Sequence, residues 1–206
     1  ITSKDVGIII HGKGSTTTIE SGTVTSTNSH AIYEYSWDRN YSNDNGRKLY
    51  IKGGTFKSPT HVVYLYTTHA YVSGGTFTTT ADNRDICLFY DEGYSTFDIQ
   101  NVELNTENAS GIRSAYRLNT KNVTINANKS DSYGVVFHGT YNMNEGTIIN
   151  TPGASSIGIW GGSSETVNVN AGTINSNNVG IHLESSSKAN INGGTIISSN
   201  DYAILH

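Results

Sequence analysis

Val167-Asn168-Val169-Asn170-Ala171-Gly172-Thr173-Ile174 is answered 22 residues later by Ala189-Asn190-Ile191-Asn192-Gly193-Gly194-Thr195-Ile196. Each copy alternates apolar and polar residues, then turns through glycine into threonine and isoleucine. Alternation with period 2 marks a half-buried strand, and the glycine marks the corner that ends it. The same Gly-Thr-apolar marker stands at Gly22-Thr23-Val24, Gly54-Thr55-Phe56, Gly75-Thr76-Phe77 and Gly146-Thr147-Ile148. Successive markers are 32, 21, 71, 26 and 22 residues apart. The gap of 71 divides into three units of about 24, with degenerate copies near Val102 and Ala127.

About eight residues after each marker comes a second apolar segment. Its copies are Ala31-Ile32, Val62-Val63, Ile86-Cys87, Gly111-Ile112, Gly134-Val135, Gly158-Ile159, Gly180-Ile181 and Ala203-Ile204. A unit of 21–32 residues holding two or three short strands fits one coil of a parallel β-solenoid, whose rungs stack at strand spacing. Leucine-rich repeats are excluded by the missing Leu-x-x-Leu-x-Leu pattern, and a propeller blade needs roughly 40 residues. Asparagines repeat in register as well: Asn122, Asn142, Asn168 and Asn190 in one position, Asn144, Asn170 and Asn192 in another. Stacked amides can bond to one another along the solenoid axis.

Composition agrees. Gly, Asn, Thr and Ser supply 94 of the 206 residues, charged residues only 15%, and net charge is −4. An ordinary surface helix carries more charge, and a disordered chain carries fewer than the 13 tyrosines, 5 phenylalanines and 2 tryptophans present here. No apolar run is long enough for a transmembrane helix, so membrane insertion is not expected. Mild acidity gives no reason to expect nucleic acid as a partner. The lone cysteine, Cys87, lies in the apolar run Ile86–Phe89 and reads as a buried hydrophobe. The ends carry no targeting pattern, and the chain reads as a fragment of a longer surface protein.

The Gly-Gly-Thr-Ile/Phe cassette over residues 15–206 resembles the right-handed, pectate-lyase-like parallel β-helix, and in particular the repeats of bacterial surface adhesins. The resemblance implies an all-β fold: one right-handed parallel β-helix of about eight rungs spanning residues 1–206. It also implies an extracellular or surface-anchored location. The superfamily holds lyases, hydrolases, tailspikes and non-enzymatic adhesins, so function must come from the residues.

Carboxylates are scattered, and only Asp91-Glu92 are adjacent. Aligned one rung away stand Thr67-Thr68 and Tyr116-Arg117, so the pair reads as solvated turn residues. Residues 38–49 resemble a calcium loop only loosely: Asn43 replaces the turn glycine and Leu49 the final glutamate. His30 and His61 occupy equivalent positions and should stack, without a third ligand for zinc. No metal, cofactor or catalytic residue is assigned. A polysaccharide lyase or glycosidase using Asp91 and Glu92 with Arg84 or Arg117 is the enzymatic alternative, and a structural stalk is the third.

The aromatic residues carry the functional expectation. Alignment of the second segments places Tyr33 and Tyr64 in one outward column, and Tyr35, Tyr66 and Tyr90 in the next. Glu34 falls at an inward position beside Leu65 and Phe89. The longest unit inserts a loop over residues 36–48 with Trp37, Asp38 and Arg39 beside these tyrosines. Exposed aromatics with polar neighbours suit hydroxyl-rich ligands. The expected binding set is Tyr33, Tyr35, Trp37, Asp38, Arg39, Tyr64, Tyr66 and Tyr90, directed at a glycan or another cell-surface ligand.

Overall fold

A computed structural model describes residues 1–35 and 46–206; Trp37, Asp38 and Arg39 lie outside the described residues. The described residues form short strands and turns, with no helix among them. Each strand pairs in parallel with the equivalent strand of the turns before and after it. The chain is a parallel β-solenoid of about eight turns. Ile8, Ile32, Val63, Phe89, Ile112, Val135, Ile159, Ile181 and Ile204 stand in one column, one per turn, 22–31 residues apart.

Three strand faces wrap this axis. One is the nine-stranded sheet from Ile8–Ile10 to Ile204–Leu205. A second begins at Thr16–Ile19 and ends at Lys188–Ile191. The third contains the marker strands, such as Thr55–Ser58, Thr76–Thr79 and Thr173–Ser176. Alternation puts Val24, Phe56, Phe77, Ile149 and Ile174 inside from the marker face, and Leu49, Ala70, Phe97, Leu118, Tyr141 and Val167 inside from the second. Like residues stack between turns; the Phe56 and Phe77 rings are 5.0 Å apart and nearly parallel.

The marker glycines adopt positive φ, for example 112° at Gly54 and 115° at Gly75, where a Cβ is costly. In the two turns without a marker, Asn101 and Asn122 take φ of 55° and 51° instead. There the strand runs through the corner as Thr96–Thr106 and Arg117–Ala127. Asparagine is the side chain that best tolerates this left-handed conformation.

Three features of the sequence register are corrected. Phe89, not Cys87, occupies the inward column, and Cys87 pairs with Ser110. This shift of two residues preserves the inward–outward alternation. Gly146-Thr147-Ile148 stands one residue early: Thr147 is buried, Ile148 is exposed, and Ile149 aligns with Ile174. The first asparagine ladder contains Asn119 in place of Asn122. Asn142 donates to Asn119, Asn168 to Asn142 and Asn190 to Asn168, each at 2.7–2.8 Å. A second ladder joins Asn144, Asn170 and Asn192 as expected, and a third joins Asn105, Asn126, Asn150 and Asn175.

Candidate aromatic recognition face

The outward column of the nine-stranded sheet reads Tyr33, Tyr64, Tyr90, Arg113, Val136, Trp160, His182 and Leu205. Strand spacing of about 4.8 Å sets consecutive rings at stacking distance. Tyr33 and Tyr64 are 5.4 Å apart, Tyr64 and Tyr90 4.9 Å, and the Arg113 guanidinium carbon lies 5.4 Å from the Tyr90 ring centre. Tyr90 thus continues the column of Tyr64, not that of Tyr66 as the sequence alignment had it.

Tyr66 meets Tyr64 edge-on at 5.2 Å and Tyr33 at 6.3 Å. Tyr35, the most exposed of the set, lies 6.3 Å from Tyr33 and 6.0 Å from His11. Tyr33, Tyr64, Tyr66 and Tyr90 are half-buried. The structure therefore brings together the five tyrosines singled out from the sequence and gives them one face. Their other flank is histidine: His30 and His61 stack at 5.9 Å, as their register predicts, and His61 packs 4.1 Å from Tyr90.

Polar atoms here are committed in a defined way. The Tyr66 hydroxyl donates to the Tyr64 hydroxyl at 3.3 Å, and the Tyr64 hydroxyl donates to the Glu92 carboxylate. Burial, first of all, raises the pKa of Tyr64, Tyr66 and Tyr90, so these phenols remain protonated. The Cys87 amide donates to His61 Nδ1 at 3.0 Å, which leaves the proton of the neutral ring on Nε2. Burial, then repulsion from His30, lowers the His61 pKa to about 4, and burial also lowers that of His30. At neutral pH the face is aromatic and uncharged, bordered by Glu92 and Arg113.

The carboxylates differ from the sequence reading. Asp91 is not a solvated turn residue: its neighbour in register is Leu65, and it has no accessible surface. It accepts from the amides of Gly93, Ser95 and Ala115 at 3.0–3.1 Å, tying one turn to the next. Burial pushes its pKa up to about 7 despite these bonds. Glu34 is buried at its inward position because Arg47, itself buried, donates to it at 2.6 Å. The amides of Tyr66 and Thr67 and the hydroxyls of Thr67 and Thr68 complete its shell. An acid in an apolar column signals that a buried partner exists, but alternation alone does not say which cation supplies it. Cys87 is buried as expected, and burial pushes its thiol up to about 12.

Two concavities were not foreseen. The larger, of about 410 Å³, lies on the second sheet between Tyr50, Tyr71, Asp98 and Asn119 on one side and Lys52 and Lys121 on the other. Tyr50 and Tyr71 stack at 4.8 Å, and His69 Nε2 is 2.6 Å from the Asp98 carboxylate. The smaller, of about 180 Å³, continues the aromatic column past Tyr90 and is lined by Arg113, Val136 and Trp160 among others. The column signal for it was present in the sequence as Arg113, Val136 and Trp160 at successive rungs. No protein-family model, curated protein or solved structure matches this chain.

Proposed function

We propose that this solenoid is a non-catalytic recognition module, a cell-surface or extracellular adhesin that binds carbohydrate through the aromatic face. The observation that carries this reading is the contiguous set Tyr33, Tyr35, Tyr64, Tyr66 and Tyr90, flanked by two neutral histidines. Rigid rings on a rigid ladder lose little entropy on binding, and their apolar surfaces offer a platform on which sugar rings stack. The buried state of Asp91 argues against the enzymatic alternative, because a carboxylate without accessible surface cannot reach a glycosidic bond. Glu92 alone, hydrogen-bonded to Tyr64, lacks the second carboxylate that glycoside hydrolysis ordinarily uses.

A glycan array probed with the purified chain tests the reading. Binding should fall at least about tenfold on Tyr64→Ala and be unaffected by Lys188→Ala on the second sheet. Release of unsaturated or reducing ends from a polysaccharide would overturn it in favour of an enzyme. An absence of any binding would leave the stalk.

A further inference from the structure

Beyond Tyr90 the outward column runs large, small, large: Arg113, Val136, Trp160. Neighbouring rungs are about 4.8 Å apart, so the small Val136 leaves a slot one rung wide between a guanidinium and an indole. Val136 forms its nearly buried floor. Tyr133, Arg84 and His138 close the sides of this cavity of about 180 Å³.

Arg113 is the unusual member. Among the described residues its guanidinium has neither a hydrogen-bond acceptor nor an ion-pair partner, and only the Tyr90 ring faces it. Arginine carries five donors in a planar fork, and at the half-buried Arg113 none of them is committed to an acceptor among the described residues. Four acids lie near the cavity, Asp85, Asp131, Glu165 and Glu184, the last acting on His138, and none forms an ion pair with Arg113. Asp85, at the rim, and Asp131 flank Arg84 at 3.9 and 4.0 Å, while Glu165 faces His138 at 3.6 Å and accepts from the Gly139 amide. The positive charge is also felt by its surroundings: Arg113 helps lower the pKa of His138 and of His61, after burial in both cases.

We propose that this slot is an anion subsite that takes the carboxylate of an acidic sugar, with Arg113 as its bidentate donor and Trp160 as the platform for the sugar ring. Planar carboxylate matches the planar fork, and it enters a site already walled by aromatic side chains. The inference deepens the proposed recognition function and rests on it: the tyrosine face holds the neutral part of a glycan, and the slot selects one bearing a carboxylate.

The test is an array divided into neutral, carboxylated and sulfated glycans, followed by calorimetry with a uronic-acid-containing oligosaccharide that binds. Wild type should prefer the carboxylated members, and Arg113→Gln should weaken them roughly ten- to a hundredfold while leaving neutral members unchanged. Val136→Phe, which fills the slot without altering charge, should remove the same preference, with both variants checked for an unchanged melting profile. Neutral binding that persists while neither variant alters any preference overturns the anion subsite and leaves the tyrosine reading standing. A stronger response to sulfated glycans overturns the carboxylate assignment. No binding to any glycan removes the reading on which the inference rests.

Discussion

Replacing Glu34 by alanine should be among the most damaging single substitutions in this chain. The side chain has no accessible surface and accepts five hydrogen bonds, at 2.6 Å from Arg47, 2.7 and 3.0 Å from Thr67, and 2.8 Å from Tyr66 and Thr68. Removing it strands the Arg47 guanidinium, which keeps Gly12 O at 3.0 Å and the Thr67 hydroxyl at 2.9 Å but loses its counter-charge. Breaking a buried pair in this way costs about 3–5 kcal/mol. For a chain of this length that corresponds to a fall in melting temperature of roughly 6–20 °C. The cost should shrink in the double variant Glu34→Ala/Arg47→Met, because no buried charge is then left unpaired. Thermal and urea unfolding followed by circular dichroism give the two free energies. Hydrogen exchange at the Tyr66, Thr67 and Thr68 amides locates the damage. A loss below about 1 kcal/mol, or a double variant as unstable as Glu34→Ala alone, would refute the idea that this cluster pins the turn beneath the tyrosine face.

Two other outcomes are expected. His61 has a folded pKa near 4 against about 6.5 unfolded, so below pH 6.5 the unfolded chain takes up protons that the folded ring refuses. Its contribution is therefore present above pH 6.5 and lost as pH falls towards 4, by up to about 3 kcal/mol. Asp91, raised to about 7, acts with the opposite sign, gaining as pH falls through 7, so the informative quantity is wild type minus His61→Gln. That difference in melting temperature should fall between pH 6.5 and 4, and a flat difference would contradict the assignment. Gly158→Ala should destabilise by about 1–3 kcal/mol, because the new Cβ would lie 2.5 Å from Ile174 and 2.6 Å from the Gly180 carbonyl of the next turn. An unchanged urea midpoint would show that the turns can move apart at this column.

The solenoid was legible because its signal repeats. Each inward residue in a parallel ladder is checked by its equivalents one turn away, so Ile112, Val135, Ile159 and Ile181 identify one another without any structure. Errors arose where that redundancy thinned. The 26-residue step from Val63 to Phe89 admits two in-phase alignments, and only hydrogen-bond register decides between Cys87 and Phe89. Gly146-Thr147-Ile148 imitates the marker, yet Gly146 turns at φ 68° and the strand starts later. The tyrosine face was readable because outward position follows from parity, which a two-residue slip leaves intact. Arg47 was not readable in the same way, and of the Arg113 slot the sequence showed the column of lining residues but not the cavity. One is a partner supplied from a different part of the turn, and the other is defined by a missing neighbour, which no motif records.

The contrast between the two outward surfaces is the reason the proposed recognition function is placed on one sheet. On the second sheet the column that runs from Thr18 through Tyr50 and Tyr71 becomes Asp98, Asn119, Asn142, Asn168 and Asn190, and each asparagine amide donates to the rung before it. Those side chains satisfy one another and hold the stack in register, so a ligand there must compete with the ladder. On the nine-stranded sheet the outward column carries rings, Arg113 and Val136 where the other has amides. Side-chain bonds between turns, such as the Ala115 amide to Asp91 and the Cys87 amide to His61, lie outside that column. The rings meet one another through faces and edges, and the Tyr66 and Tyr64 protons go to Tyr64 and to Glu92. The guanidinium of Arg113, set against the last tyrosine, has no equivalent partner on the next rung. Along one column polar capacity is consumed by the amide ladder, whereas along the other the Arg113 fork has no acceptor among the described residues, and the proposed ligand is directed to that side for this reason.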